Sequence, residues 1–469
     1  MMKYNAVTPE LIAELKNILG DRYVSTDSDK LEMYKTDEEA NPKYHHLPEV
    51  VVFPENTEQV AAVVRLANKY LVPVTPRGAG TGLAGGAIPV YGGIVLVMDR
   101  LDKILEFNEE ALYVVAQAGV RTSEIQKEAK KRGLLYAGDP CSSESCQIGG
   151  NVSTNAGGNK AIKYGTTRDQ VYAVEVVTPE GEIVTIGSRL AKKSTGYALE
   201  QLLVGSEGTL GIITQVTLKL KPLATHSLDL LAIFKDVDQA LSIPNKIVKA
   251  GITPTSMEFM DNNAIQSCAR YLKIDLPYAN DGGVYVIITV EGFNQDDVDQ
   301  QTVIVDELCT EGGAAEVLVA DEDRIWKARR NFAEAARADS LVYYAEDIVV
   351  PVDAISELMK KLPELEKKYG IATTTAAHIG DGNIHVNALK MNIPDDVWDA
   401  TLNEFHKELY GFVYSLGGRL SGEHGIGSKK IKEMEMFTNP LELKIMRAIK
   451  KALDPNGILN PGKIFRSVN

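Results

Sequence analysis

Three of the chain's seven histidines fall in two short stretches whose residue types are those of a metal centre. The first is Ala377-His378-Ile379-Gly380-Asp381-Gly382-Asn383-Ile384-His385. Asp381-Gly382 between two β-compatible runs predicts a hairpin turn. With the turn centred there, His378 and His385 oppose each other on one side of the ribbon, Cβ atoms about 5 Å apart. Two imidazoles so placed can share one cation, which takes nitrogen ligands at about 2.1 Å. The second stretch, Ser421-Gly422-Glu423-His424-Gly425-Ile426-Gly427, offers Glu423 as a third ligand and leaves a position open for substrate. The competing reading is a pair of hairpin histidines that only hydrogen-bond. The clustering of histidine with carboxylate favours metal, and such N/O ligands accept zinc, iron or manganese alike.

A second chemistry is written in glycine. Of 39 glycines, 21 lie between Gly78 and Gly211. Gly80-Thr81-Gly82-Leu83-Ala84-Gly85 matches G-x-G-x-x-G, which in dinucleotide sites must open directly into a helix. Here Pro89 and Gly92-Gly93 follow at once, so no helix is predicted and an NAD site is disfavoured. The same loop can still act as a nest, its backbone N–H groups converging on a phosphate; the alternative is a plain surface turn. Ile148-Gly149-Gly150-Asn151-Val152-Ser153-Thr154-Asn155-Ala156-Gly157-Gly158, followed by Tyr164-Gly165, lets a flat or extended ligand lie against backbone. Gly205-Ser206-Glu207-Gly208-Thr209-Leu210-Gly211 ends in a strand. Three such loops point to one long ligand touching all of them.

Hydrophobic periodicity places these motifs on elements. A helix is predicted over 8–19, a strand at 50–53, and a helix capped by Thr57 with Val60, Val63, Val64 and Ala67 on one face. Strands are expected at 72–75, 94–98, 113–116, 171–178, 183–186 and 212–219, and a helix at 121–132. After Lys221-Pro222 the texture changes: no glycine occurs between 212 and 250. A strand at 228–235, a helix at 237–249, an alternating strand through Val284, Val286, Ile288 and Val290, and a helix at 296–311 predict β-α-β units on an antiparallel sheet, ferredoxin-like in plan. From about Leu420 the chain reads as mainly helical.

The 469 residues carry 50 Lys+Arg against 64 Asp+Glu, a formal charge of −14, with no basic block. That disfavours nucleic acid and anionic membranes as partners. No apolar run approaches the roughly 18–20 residues of a spanning helix, so no integral membrane segment is expected. Met1-Met2-Lys3-Tyr4-Asn5 opens no apolar h-region, so a cytoplasmic protein is expected. Cys141, Cys146, Cys268 and Cys309 form no C-x-x-C pair, which argues against an iron–sulfur cluster or zinc finger in this chain.

Pro76–Gly86, Asp139–Gly158 and Gly205–Thr214 together resemble the FAD-binding domain of the vanillyl-alcohol-oxidase/PCMH flavoproteins. Within that family the chain is most similar to the glycolate oxidase/D-lactate dehydrogenase branch, over nearly its whole length. The resemblance implies an α+β fold: a PCMH-type FAD-binding domain over 1–222, a ferredoxin-like substrate (cap) domain over 223–419, and a helical segment over 420–469 returning to the FAD domain. It implies FAD contacts from Pro76, Arg77, Gly78, Ala79, Gly80, Thr81 and Gly82 at the pyrophosphate. Asp139, Pro140, Cys146, Gly149, Gly150, Asn151, Ser153, Thr154, Ala156, Gly157, Gly158 and Gly165, with Glu207, Gly208, Ile212 and Asn460, would line the rest. Many relatives attach FAD through a histidine in the first loop; Thr81 stands there here, so the FAD is expected to be non-covalent.

In the family's D-2-hydroxy-acid dehydrogenases a His-x6-His hairpin and a Glu-His dipeptide match His378, His385, Glu423 and His424. The resemblance therefore implies one divalent cation on the first three and His424 as base. Trp326-Lys327-Ala328-Arg329 resembles the family's W-x-x-R, making Arg329 the carboxylate clamp; the competing reading is a solvated arginine on a charged helix. Asp347 is read as structural support, Cys146 as packing beside the flavin, and His45, His46, His226 and His406 as surface or packing residues. The expected activity is oxidation of a small D-2-hydroxy acid, D-lactate before glycolate or D-2-hydroxyglutarate. The diacid is disfavoured because relatives that take it place a Lys near the position of Ala345. With one flavin and no second centre, a redox partner is expected, either an electron-transferring flavoprotein or an iron–sulfur subunit. The other possibilities are an oxidase that uses O2 and a subunit that mainly relays electrons.

Overall fold

The computed structural model describes residues 4–39 and 41–466. Val50–Val52 is a strand with all three side chains buried, and Ile94–Val97 is buried on both faces likewise. Such continuous apolar runs suit parallel pairing under cover. They form the middle of a four-stranded sheet in the order Val24–Ser25, Val50–Val52, Ile94–Val97, Val74–Arg77, whose last three strands are parallel. The helix Thr57–Tyr70 packs Val60, Val63, Val64 and Ala67 into the core; its cap is Asn56, whose side chain accepts from the Gln59 N–H, and not Thr57. Thr57 instead donates its hydroxyl to Glu175.

A second, antiparallel sheet runs Ile104–Asn108, Tyr113–Gln117, Ile212–Lys219, Val171–Val177, Ile183–Gly187. One apolar core, including Val60, Ile94, Val114, Ile148 and Val216, serves both sheets. These belong to a compact unit made of residues 1–157, 166–223 and 423–469. Among the described residues its C-terminal part holds two helices, Ile431–Phe437 and Pro440–Leu453, and the rest of the described stretch is not helical. The C-terminal chain is tied in where Asn460 donates its N–H to Val74 O and Lys450 spans Asp454, Thr209 O and Leu459 O.

The other unit comprises residues 158–165 and 224–422. The 158–165 segment, expected to go with the cofactor domain, thus belongs here: Gly380 leaves room for Ile162, and Lys163 pairs with Glu291 at 3.0 Å. The unit's seven-stranded antiparallel sheet runs Glu316–Val319, His226–Phe234, Val284–Gly292, Ser256–Met260, Ala372–His378, Asn383–Leu389, Tyr343–Val349. Helices Val237–Lys249 and Gln295–Glu311 fall where the periodicity places them.

Candidate functional site

In the second unit the histidine hairpin differs from its expected register. Gly382, at φ +86, and Asp381 lie in a four-residue loop, so His378 pairs with Asn383, and His385 with Ala376. Ile379 causes the shift: it is fully buried and its N–H bonds Met257 O, which draws the loop back by one residue on each strand. Opposed residues now sum to 761 rather than 763. An even change preserves the face. His378 and His385 therefore remain on one side as diagonal neighbours, ring centroids 5.3 Å apart and rings nearly perpendicular.

Each histidine has a carboxylate opposite it on the next strand. Glu258 pairs with His378, and Asp347 with His385. Glu258 is completely buried; its Oε1 lies 2.7 Å from His378 Nδ1, and its Oε2 accepts from Arg329 Nε at 2.9 Å and forms an ion pair with Nη2 at 2.7 Å. Burial alone would raise the Glu258 carboxyl, but His378 and Arg329 outweigh it and hold the group below its ordinary range. Arg329 is thus a buried, paired guanidinium, not a solvated one. It sits just beyond a π-helical turn, Glu322–Trp326, that breaks the regular spacing of Trp326 and Arg329. Sequence reading missed Glu258. The available signal was a lone acid in the apolar strand Ser256–Met260, since a buried charge requires a partner.

Asp347 is also fully buried, with Oδ1 accepting from Asn383 Nδ2 at 2.8 Å and Oδ2 from Ser421 Oγ at 2.5 Å. Its carbonyl accepts the Gly422 N–H. Its Oδ1 is 3.9 Å from His385 Nδ1, an electrostatic distance and not a hydrogen bond. The residue thus fixes the chain at Ser421-Gly422, one residue before Glu423. Ala345 pairs with Asn387 on the same two strands. His406, read as surface or packing, is buried against Tyr344 with Nε2 2.6 Å from Glu346.

In the first unit the chain from Gly78 to Gly93 contains neither helix nor strand, as the first glycine loop predicts. Gly80 has φ +76, and a Cβ there would lie 2.6 Å from Arg77 Cζ, so the glycine admits the Arg77 guanidinium, which also donates to Thr36 O. The second stretch is not an open loop: Ile148–Thr154 is a helix closed by Asn155 at φ 54. Gly, Ser and Thr are poor helix formers, so local propensity hides it. Buried Ile148 and Val152, and Gly149 N–H bonded to Ala118 O, impose it. A Cβ at Gly149 would strike Ala118 at 2.6 Å, whereas one at Gly150 would meet nothing within 4 Å. Gly150 therefore leaves a cradle that packing within the chain does not require. Gly82 and Gly86 are nearly as open. Thr81, next to Gly82, is half-buried, and Pro76 packs on Gly208.

Cys146 is buried between Thr122 and Asn151, and Asp139 accepts from Gln126. A Cβ on Gly157 would lie 2.7 Å from Glu423 Oε2, so this glycine makes room for a predicted metal ligand. Glu423 Oε1 is 3.8 Å from His424 Nε2. Glu207, at φ 51, accepts the N–H groups of Ile426 and Gly427, while Asn460 spans Gly86 O and Glu207 O. Burial raises the Glu207 carboxyl against those N–H groups and Lys463. Gly158 and Gly165 lie in the other unit, Gly165 ending the helix Ala161–Tyr164.

The cradle at Gly150 fits a cofactor lying on backbone, and comparison with known proteins decides which. Residues 48–187 match an FAD binding domain, and residues 225–464 match the C-terminal domain of FAD linked oxidases. The chain belongs to the FAD-linked oxidase family. This FAD-linked oxidoreductase is 36% identical over 98% of both chains to a D-lactate dehydrogenase of Anaerostipes hadrus. It is 35% identical to the glycolate oxidase subunit GlcD of Bacillus subtilis, over 91% of each. The FAD-linked oxidase fold also matches p-cresol methylhydroxylase at TM-score 0.81 and 18% identity, covering 98% of this chain and 97% of the other. The sequence matches thus lie with proteins named D-lactate dehydrogenase and glycolate oxidase subunit, and the match to p-cresol methylhydroxylase shows a shared fold.

Proposed function

We propose that the chain oxidises a small D-2-hydroxy acid, D-lactate to pyruvate as the first choice, and passes the electrons to a partner protein. The observation that carries this reading is the row Glu258, His378, His385, Asp347 across four adjacent strands. A metal-binding histidine characteristically gives its second ring nitrogen to a carboxylate, which fixes its tautomer and direction. Glu258 does this for His378 at 2.7 Å. We assign a divalent cation to His378, His385 and Glu423; the anchoring of Gly422 on Asp347 O, one peptide before Glu423, supports it. When bound, FAD supplies hydride acceptance and the cation lowers the substrate hydroxyl pKa.

Within that frame His424 accepts the hydroxyl proton, imidazole being the side chain that most often serves as a general base. Arg329, held by Glu258 through Nε and Nη2, offers a fixed positive charge to the substrate carboxylate. The glycine-lined stretches hold FAD without a covalent link, Thr81 standing in place of an attaching histidine. The relative named as a glycolate oxidase subunit favours glycolate as the second substrate to try. An electron-transferring flavoprotein or an iron–sulfur subunit is the proposed acceptor.

Anaerobic titration of the holoenzyme with each acid tests the substrate. D-lactate should bleach the oxidised flavin; if it does not, lactate is the wrong substrate. Denatured protein should release all flavin into solution. Elemental analysis of wild type and His378→Ala should show one divalent metal lost in the variant with FAD retained.

A further inference from the structure

We infer that Glu207, in the third glycine-rich stretch, is a positioning residue that fixes the loop carrying Glu423 and His424. The proposal rests on the role given to His424 above. Glu207 is a non-glycine residue in the left-handed region at φ 51, a disfavoured conformation that persists only where surroundings hold it. Four hydrogen bonds hold it. Its N–H donates to Ser153 O at 2.7 Å and its carbonyl accepts from Asn460 Nδ2 at 2.7 Å. Its carboxylate accepts the N–H of Ile426 at 2.8 Å and of Gly427 at 2.7 Å, one on each oxygen.

Those two amides are two and three residues beyond His424, so the carboxylate grips the backbone where the Glu-His dipeptide ends. Neighbouring glycines make the grip possible. A Cβ on Gly425 would lie 2.9 Å from Glu207 Oε1, and one on Gly427, at φ +53, would strike the Ala84 backbone. Ala84 O takes the next two amides, Ser428 at 3.1 Å and Lys429 at 3.2 Å, and the Lys429 ammonium pairs with Glu39. The loop is therefore held from the first glycine stretch as well as the third. A buried carboxylate in a cofactor stretch is accounted for without any contact to the cofactor, because both oxygens are committed to main chain. Gln in its place keeps the shape but offers one acceptor to two donors.

The test compares wild type, Glu207→Gln, His424→Ala and the double variant as holoenzymes. In Glu207→Gln, anaerobic flavin reduction by D-lactate should slow by at least about tenfold, with KM shifted far less and FAD retained. In the His424→Ala background the same change should slow reduction by less than about twofold, because a residue acting through His424 is not additive with it. An unchanged rate in the single variant, or the full loss repeated in the His424→Ala background, would overturn the proposal. Loss of FAD from the variant would also overturn it, making Glu207 a cofactor-retention residue. Hydrogen exchange of the 423–430 peptide separates this from the function itself: faster exchange at Ile426 and Gly427 supports the clamp, and unchanged exchange refutes it. Should no 2-hydroxy acid reduce the wild-type flavin, the functional reading fails while the exchange result still decides the clamp.

Discussion

Glu258 and His378 face each other on adjacent antiparallel strands, the carboxylate Oε1 2.7 Å from the imidazole Nδ1. The same carboxylate carries Arg329 on its other oxygen, so one fully buried acid sets the position of both a predicted ligand and a predicted substrate contact.

Glu258→Gln should therefore lower metal affinity about 10–100-fold with FAD retained, the range for loss of such a supporting carboxylate. It should also destabilise the protein by about 3–5 kcal/mol, since Arg329 is left buried without its counter-ion. Chelator competition and denaturant unfolding measure the two effects. Unaltered metal affinity would remove Glu258 from the site.

Gly149 and Gly150 adjoin in one helix but should respond oppositely to alanine. Gly149→Ala drives a Cβ into Ala118 and should destabilise the apoprotein, whereas Gly150→Ala meets open space and should stabilise it by up to about 1 kcal/mol. Only ligand contact can penalise the second change, so Gly150→Ala should weaken FAD binding. Thermal unfolding of apoprotein and FAD titration distinguish the pair.

Gly157→Ala places a Cβ 2.7 Å from Glu423 Oε2. Metal affinity should fall by about tenfold or more while the histidine hairpin is untouched. Metal content after dialysis against a chelator is the readout, and full retention would detach Glu423 from the metal.

Lys463 is buried with its ammonium on Ile88 O; burial pushes its pKa down to about 7 from 10.5, against the pull of Glu207 and Asp37. Between those two values the unfolded chain binds more protons at this residue than the native one. Its contribution to stability must then rise with pH across that window, by at most about 1.4 kcal/mol per unit. Lys463→Met should flatten the stability profile between pH 7 and 9, as measured by denaturant midpoints. A profile identical to wild type would contradict the shift.

Much of the site is legible in the chain because its chemistry is local. The strand before the first glycine loop, the helix-free loop itself and the pair of histidines with six residues between them need only short-range rules. The shared face of His378 and His385 survives the altered turn because any even shift keeps side-chain parity. The helix at Ile148–Thr154 was not legible, because its residues disfavour helix and only burial of Ile148 and Val152 makes it form.

The sequence alone determined which donors exist: two histidines and a Glu-His dipeptide for the proposed metal and proton roles, three glycine-rich stretches for a long cofactor, and no C-x-x-C pair to ligate an iron–sulfur cluster. Tertiary structure decided which carboxylates serve them. Glu258 lies 120 residues from His378, and Glu207 lies 219 and 220 residues from the amides it binds. No spacing rule spans such distances. Burial selects these acids, because a carboxylate removed from water must find cations or N–H groups, and only the folded sheet and loops bring them within reach.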